Sequence, residues 1–392
     1  MDVTDLRIAI FTGNYNYVRD GANQALNRLV EYLLRMGAAV RIYSPTVDEP
    51  ALPPNGDIVS IPALPVPGRG EYRAPLMIPP WAKRDLKRFA PNVLHIGSPE
   101  LLGHRAVTLA HKLDLPVVAS VHTRFETYPR YYGLAFLEPL VIVLLRRLYR
   151  RCNAIFAPSD SMAQLLREQR MNYDVGIWSR GIDREVFHPG RRDMEWRRGL
   201  GIDDDMPVVG FVGRLVMEKA LDVFADSVDR LRRRGVRHKV MVVGDGPARE
   251  WFEERLPDAI FAGFFEGCEL ARAVASMDML FNPSVTETFG NVTLEAMAVG
   301  LPVVAARATG SESLVIHEVT GRLERPGAFD RFAEALAYYC QNEEARRAAG
   351  QAGWEVSQRY GWDEVNGELV EGYLRVIRQH HGGRQPRPSR LP

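Results

Sequence analysis

Short runs of β-branched and apolar residues alternate along this chain with longer stretches whose apolar positions recur at helical spacing. LRIAIFTG reads as a first strand. ANQALNRLVEYLLRMG then sets Ala25, Leu29, Tyr32, Leu33 and Met36 close to a helical period, with Gly37 as the stop. AVRIYSP, VLHIGSP and PVVASVHT predict further strands, the last two separated by the helical ELLGHRAVTLAHKLDL. A break follows RGIDREVFHPGRRD, and after DDDMP the pattern restarts. VVGFVG, KVMVVGDGP, DMLFNPS and LPVVAARAT read as strands; EKALDVFADSVDRLRRRG and TLEAMAVG read as helices. Strands alternating with helices predict an α/β protein with doubly wound parallel sheets, here two in tandem over residues 1–187 and 188–357. WDEVNGELVEGYLRVI is a lone helix after the second sheet. The final stretch, 380–392, has no periodicity and reads as a disordered tail.

Composition narrows the function classes. The 392 residues are 46% hydrophobic and 25% charged, ordinary for a globular chain, and the formal net charge of +1 offers no global field for nucleic acid. Cys152, Cys268 and Cys340 are far apart, so none makes a metal-ligand pair, and their odd number argues against a disulfide framework. The start, MDVTDLRIAIFTG, has no basic n-region, and the apolar run LVIVLL is far short of a membrane span. A cytoplasmic chain is expected, able to sit on a membrane surface.

Open α/β sheets bind ligands beyond the carboxyl ends of their strands, so the residues there are the candidates. After VVGFVG, Gly213 and Arg214 leave the strand and Lys219 arrives at a helix start. Two cations beside a helix N-terminus suit a diphosphate; a surface Arg and a Lys paired with Glu218 is the other reading. In NPSVTETFGNVTLEAMAVG, Gly290 permits close backbone approach, and the amides of Phe289, Gly290, Asn291 and Val292 can face phosphate oxygens. Glu287 and Glu295 would stand roughly 12 Å apart if the intervening turn is helical. That is the span from sugar to ribose in a nucleotide-sugar; solvent-facing glutamates of an amphipathic helix are the alternative. His122 follows PVVASV as a ligand contact or a structural histidine. Gly13 and Gly21 bracket the loop FTGNYNYVRDGANQA, which leads into a helix and is another anion-friendly position. GDGPARE is an incomplete dinucleotide fingerprint and reads as a βα turn, and DDD (203–205) as a turn at the wrong end of the sheet for a metal site.

In combination these segments resemble the retaining nucleotide-sugar transferases of glycosyltransferase family 4, which have the GT-B fold. GRLVMEK is similar to the family's Gly-Arg-Leu-x-x-x-Lys segment, ETFGNVTLEAMAVGLPVVA to its Glu-x7-Glu signature, RGIDREVFHP to its interdomain motif, and SVHT carries its cleft histidine. The resemblance implies two Rossmann-like domains facing a cleft. The acceptor-binding domain would be 1–187 plus 358–379, the closing helix crossing back to it, and the donor-binding domain 188–357. It implies that Arg214 and Lys219 neutralise the diphosphate, Glu287 contacts the donor sugar, Glu295 holds the ribose, and His122 lies by the reaction centre. It implies retention of configuration with no metal and no cofactor. Asp20-Gly21 replaces the usual Gly-Gly pair, and Ala220 the usual Gly or Asn.

RGEYRAPLMIPPWAKRDLKRF mixes Arg69, Arg73, Lys83, Arg84, Lys87 and Arg88 with Tyr72, Leu76, Met77, Ile78 and Trp81. That mixture suits an anionic membrane surface, or a loop leading into an ordinary solvated helix. EPLVIVLLRRLYRRCN reads as a core helix with a charged end. HTRFETYPRYYG, which contains Arg124, and WSRGID are most similar to members that glycosylate diacylglycerol, phosphatidylinositol or related lipids. The expectation is a peripheral enzyme on the cytoplasmic face, moving a hexose or hexuronic acid from a UDP-sugar, or mannose from GDP-mannose, to a lipid hydroxyl such as that of diacylglycerol or ceramide. A soluble or polysaccharide acceptor, and a non-catalytic nucleotide-sugar-binding regulator, are the alternatives.

Overall fold

The computed structural model describes residues 1–18, 20–66, 69–127 and 134–382, and the chain divides into two compact units. The first comprises Met1–Ser179 and the segment from Asp363 onward; the second is Arg180–Trp362. Residues 128–133 of the HTRFETYPRYYG stretch and 383–392 of the expected tail lie outside the described residues.

The first unit holds a parallel sheet of β1 (Arg7–Phe11), β2 (Ala39–Ser44), β3 (Asp57–Ser60), then β6 (Val93–Ile96), β7 (Val117–Ser120), β8 (Ala154–Ala157) and β9 (Val175–Ile177), after the separate pair β4 (Leu64–Val66) and β5 (Arg69–Ala74). Its order is β3-β2-β1-β6-β7-β8-β9, so the winding reverses between β1 and β6, where Phe11 pairs with Ile96. Such a reversal opens a crevice at the carboxyl ends of the two strands. The helix Gly21–Arg35 follows β1 and buries Ala25, Leu29 and Leu33. Met36 is its C-cap and stays exposed, and Gly37 turns the chain at φ 86°. The segment expected as a loop before Pro80 contains β5, paired antiparallel with β4.

From Asp363 onward the helix Trp362–Gly382 belongs to this unit. Asn366 accepts from the Trp178 indole at 3.1 Å, and Arg375 pairs with Asp174 at 3.0 Å. A Cβ on Gly372 would fall 2.5 Å from the Phe156 ring, so only glycine lets the helix approach the sheet this closely. Leu369, Tyr373 and Ile377 are fully enclosed, each contributing about 1.5–3 kcal/mol of burial.

The helix Glu138–Tyr149 corrects the core-helix expectation. Leu145, Leu148 and Tyr149 are buried, but Leu140, Val143 and Leu144 are exposed, as are Leu134 and Phe136 just before it. LVIVLL is apolar around the whole helical circumference, and one sheet covers one side.

The second unit holds β10 (Val208–Val212), β11 (Lys239–Val243), β12 (Ile260–Gly263), β13 (Met279–Asn282), β14 (Val303–Ala306) and β15 (Gly321–Glu324), all parallel, in the order β12-β11-β10-β13-β14-β15. The winding reverses between β10 and β13. Buried Arg197 donates to Asp278 at 2.9 Å, and Asp278 accepts from the Val208 amide at 2.9 Å. This pins the starts of these two strands together. In the DDD turn, Asp204 pairs with Arg198 at 2.7 Å, and Asp203 and Asp205 pair with Arg237.

Candidate active site

In the second unit the candidate residues gather at the β10/β13 reversal. β10 runs into Gly213, at φ 145°, whose carbonyl would lie 1.9 Å from a Cβ on Gly244. The glycines of GDGP are therefore required by close contact between two βα loops, as a βα turn demands. Arg214 is exposed. Lys219 ends a 3-10 turn, Met217–Lys219, one residue short of the helix Leu221–Arg233; Ala220 joins the two in a left-handed conformation at φ 57°. The Lys219 ammonium pairs with the Glu287 carboxylate, across the reversal, and not with Glu218.

Beyond β13, Ser284 and Thr286 join hydroxyls at 3.2 Å. The Glu287 carbonyl accepts from the Thr309 hydroxyl at 2.6 Å and the Gly310 amide at 3.0 Å. A Cβ on Gly310 would meet the Glu287 Cβ at 2.7 Å, so the start of the helix Thr309–Leu314 holds the Glu287 loop in place. The helix that TLEAMAVG predicts begins two residues earlier, at Asn291. The turn before it is not helical: Gly290 sits at φ 98°, so the condition behind the ruler of roughly 12 Å is not met over the first half of the segment. The first-turn amides of Asn291–Ala298 have no partner within the helix, while the Phe289 side chain is buried, edge-on to Tyr360 at 5.8 Å. Glu295 lies in the second helical turn. Burial, and then the charge of Glu287, push its pKa up to about 7.

In the first unit, the β1/β6 reversal is occupied by the chain's own groups. The Gly13 amide donates to Ser98 at 2.9 Å, and its carbonyl accepts from the Tyr17 hydroxyl at 2.5 Å. The Glu100 carboxylate lies over the Gly13 α-carbon, where an added Cβ would come within 1.8 Å of it. Burial pushes Glu100 up to about 7 against a lowering hydrogen bond from Ser98. Gly21 starts its helix, and Asp20 caps it by accepting from the Asn23 amide at 2.8 Å. Two anion-friendly positions of this loop thus already face carboxylates. His122 follows β7 and meets Ser120 at 2.8 Å; Trp178 stands edge-on to it at 5.4 Å.

Arg124 pairs with buried Glu126 at 2.8 Å. Arg73 is partly exposed in β5. Trp81, Lys83, Arg84, Lys87 and Arg88 are exposed on the helix Pro80–Phe89, whose Ala82, Leu86 and Phe89 are buried. The Arg69 side chain lies outside the described residues. Sequence reasoning missed Ser98, Glu100, Ser120, Thr309 and Tyr373. The polar ends of VLHIGSPE and PVVAS were the available signal for the first three; Thr309 and Tyr373 carry none.

Comparison with known proteins defines the class of the chain. The family described as Glycosyltransferase Family 4 matches residues 19–186, and Glycosyl transferases group 1 matches 206–342. The GDP-mannose-dependent alpha-mannosyltransferase of Mycolicibacterium smegmatis is 33% identical over 380 residues, 95% of this chain and 98% of its own. The sulfoquinovosyl transferase SQD2 of Arabidopsis thaliana is 30% identical over 366 residues, 91% of this chain and 71% of its own. Among solved structures, sucrose-phosphate synthase from Thermosynechococcus elongatus superposes with a TM-score of 0.77 at 19% identity, covering 95% of this chain and 99% of that one. Two Rossmann-like units of this kind are the GT-B fold, and the protein is a glycosyltransferase. The chain belongs to glycosyltransferase family 4.

Proposed function

We propose that the protein transfers a hexose, with retention of configuration, from a nucleotide diphosphate sugar to a hydroxyl of a membrane lipid. The observation that carries the donor half is the Lys219–Glu287 pair beside the N-terminus of Asn291–Ala298. In this reading Glu287 turns to the sugar hydroxyls, and Lys219 is shared between that carboxylate and the departing diphosphate. Arg214 and the helix amides share the remaining charge, and Glu295 takes the ribose. Charge met in this preorganised way lowers the barrier to bond opening, so neither metal nor cofactor is required. The leaving phosphate assists removal of the acceptor proton. The alpha-mannosyltransferase relative favours GDP-mannose over the UDP-sugar expected first. GDP-mannose is α-linked, so an α product means retention.

The acceptor half is supported by the first unit's surface. Leu76, Met77 and Trp81 are exposed beside four exposed cations, and a second apolar face opens along Leu140, Val143 and Leu144. An anionic bilayer matches both chemistries. Among the described residues no helix is long and apolar enough to cross a membrane. The deciding experiment is a transfer assay with EDTA present, offering GDP-mannose, UDP-glucose, UDP-galactose and UDP-glucuronate with vesicles containing diacylglycerol or ceramide. A glycolipid from one donor, detected by mass spectrometry, supports the reading. Donor hydrolysis without a glycolipid moves the acceptor to the soluble pool, and absence of both defeats the transferase assignment of these residues.

A further inference from the structure

Four side chains far apart in sequence form one hydrogen-bonded line in the first unit. The Tyr373 hydroxyl meets His95 Nδ1 at 2.6 Å, His95 Nε2 meets Ser120 Oγ at 2.8 Å, and Ser120 Oγ meets His122 Nε2 at 2.8 Å. Tyr373 and His95 are fully buried and Ser120 nearly so. The line has a direction. Among the described residues the Tyr373 hydroxyl has one hydrogen-bond partner, His95 Nδ1, and a buried phenol places its proton on the acceptor it has. Burial keeps Tyr373 a phenol and pushes His95 down to about 3, so His95 is neutral and carries one ring proton. With Nδ1 accepting, that proton is on Nε2 and is donated to Ser120. The serine hydrogen then goes to His122 Nε2.

We propose that Tyr373, His95 and Ser120 are positioning residues that hold His122 as its neutral Nδ1–H tautomer. The tautomer stands on the first unit's hydrogen bonds; its use in transfer rests on the reading of His122 as a residue of the sugar site. The outer partner of a functional histidine fixes ring orientation and proton position together. Here the outermost partner lies on the helix Trp362–Gly382.

The full-length chain labelled with [15N]histidine gives the test. Two-bond nitrogen–proton spectra distinguish the two neutral tautomers, and a His122→Gln spectrum assigns the His122 signals. The expected result is Nδ1 protonated in the parent, and a mixed or Nε2-protonated ring in Tyr373→Phe. Ser120→Ala, which breaks the line next to His122, gives the same change if Tyr373→Phe fails to fold. An Nε2–H ring in the parent, or an unchanged tautomer in a folded variant, overturns the proposal. Transfer activity separates the two readings. Loss of about tenfold in Tyr373→Phe is the scale expected of an outer partner. Full activity in His122→Gln would overturn the catalytic reading of His122 while leaving the tautomer result standing.

Discussion

Lys219 and Glu287 are ion-paired across the point where the second sheet reverses its winding, one arriving after β10 and the other after β13. Neither strand alone makes the contact. Partly exposed, the pair contributes little to stability, so its removal is expected to register in turnover before it registers in folding. Lys219→Ala and Glu287→Ala should each lower turnover at least about a hundredfold, the scale of losing one preorganised charge contact. Steady-state rates beside melting curves check this; parent rates in a folded Lys219→Ala protein would remove the pair from the chemistry.

Glu295 makes stability pH-dependent in a predictable direction. Its folded pKa, about 7, lies above the unfolded value of 4.5. The protonated form is the one the fold favours, so its contribution is complete below about pH 4.5 and lost as pH rises toward and through 7. Glu295→Gln should therefore melt higher than the parent at pH 8, with the difference shrinking toward pH 4.5. Paired thermal scans across that range test it, and a pH-independent difference would contradict the burial argument.

The contact of Gly13 with Glu100 predicts coupling. A methyl at Gly13 must displace the carboxylate, and such overpacking costs about 1–3 kcal/mol. Gly13→Ala should cost less in a Glu100→Ala background. Denaturant unfolding of the four proteins gives the interaction term; simple additivity would show that the carboxylate moves aside freely.

The membrane reading predicts salt-sensitive binding to anionic vesicles. Replacing Lys83, Arg84, Lys87 and Arg88 by Ala removes about 1 kcal/mol for each cation, which is roughly a thousandfold in partition. Trp81→Ser should weaken binding at every salt concentration, because its part is apolar. Cosedimentation with phosphatidylglycerol vesicles reads both effects, and equal binding to neutral vesicles would defeat the electrostatic half.

Most interior strands, among them β1, β7, β10 and β14, were legible as apolar runs bounded by turn residues. The interior strand β8, the edge strands β3, β9, β12 and β15, and the hairpin β4/β5 were not. They have three to six residues, too few to carry a period of their own. At the site, the Glu287–Glu295 spacing and Lys219 could be seen in the chain, but Gly290's left-handed turn removed the helical premise of the spacing. The line from Tyr373 to His122 was invisible for a different reason. Its members come from three segments, β6, the end of β7 and the last helix, and are joined only by the way the sheet and that helix pack.

The helix Trp362–Gly382 also has a consequence for how the protein is made. His95 waits 278 residues of chain for Tyr373. At roughly 5–20 residues per second of synthesis, that is tens of seconds in which Trp178, Phe156 and the imidazole lack their cover. The first unit is thus the earlier to be translated and the later to be completed. A nonsense codon near the end of the message would spare every residue of the second unit and still leave the first unfinished.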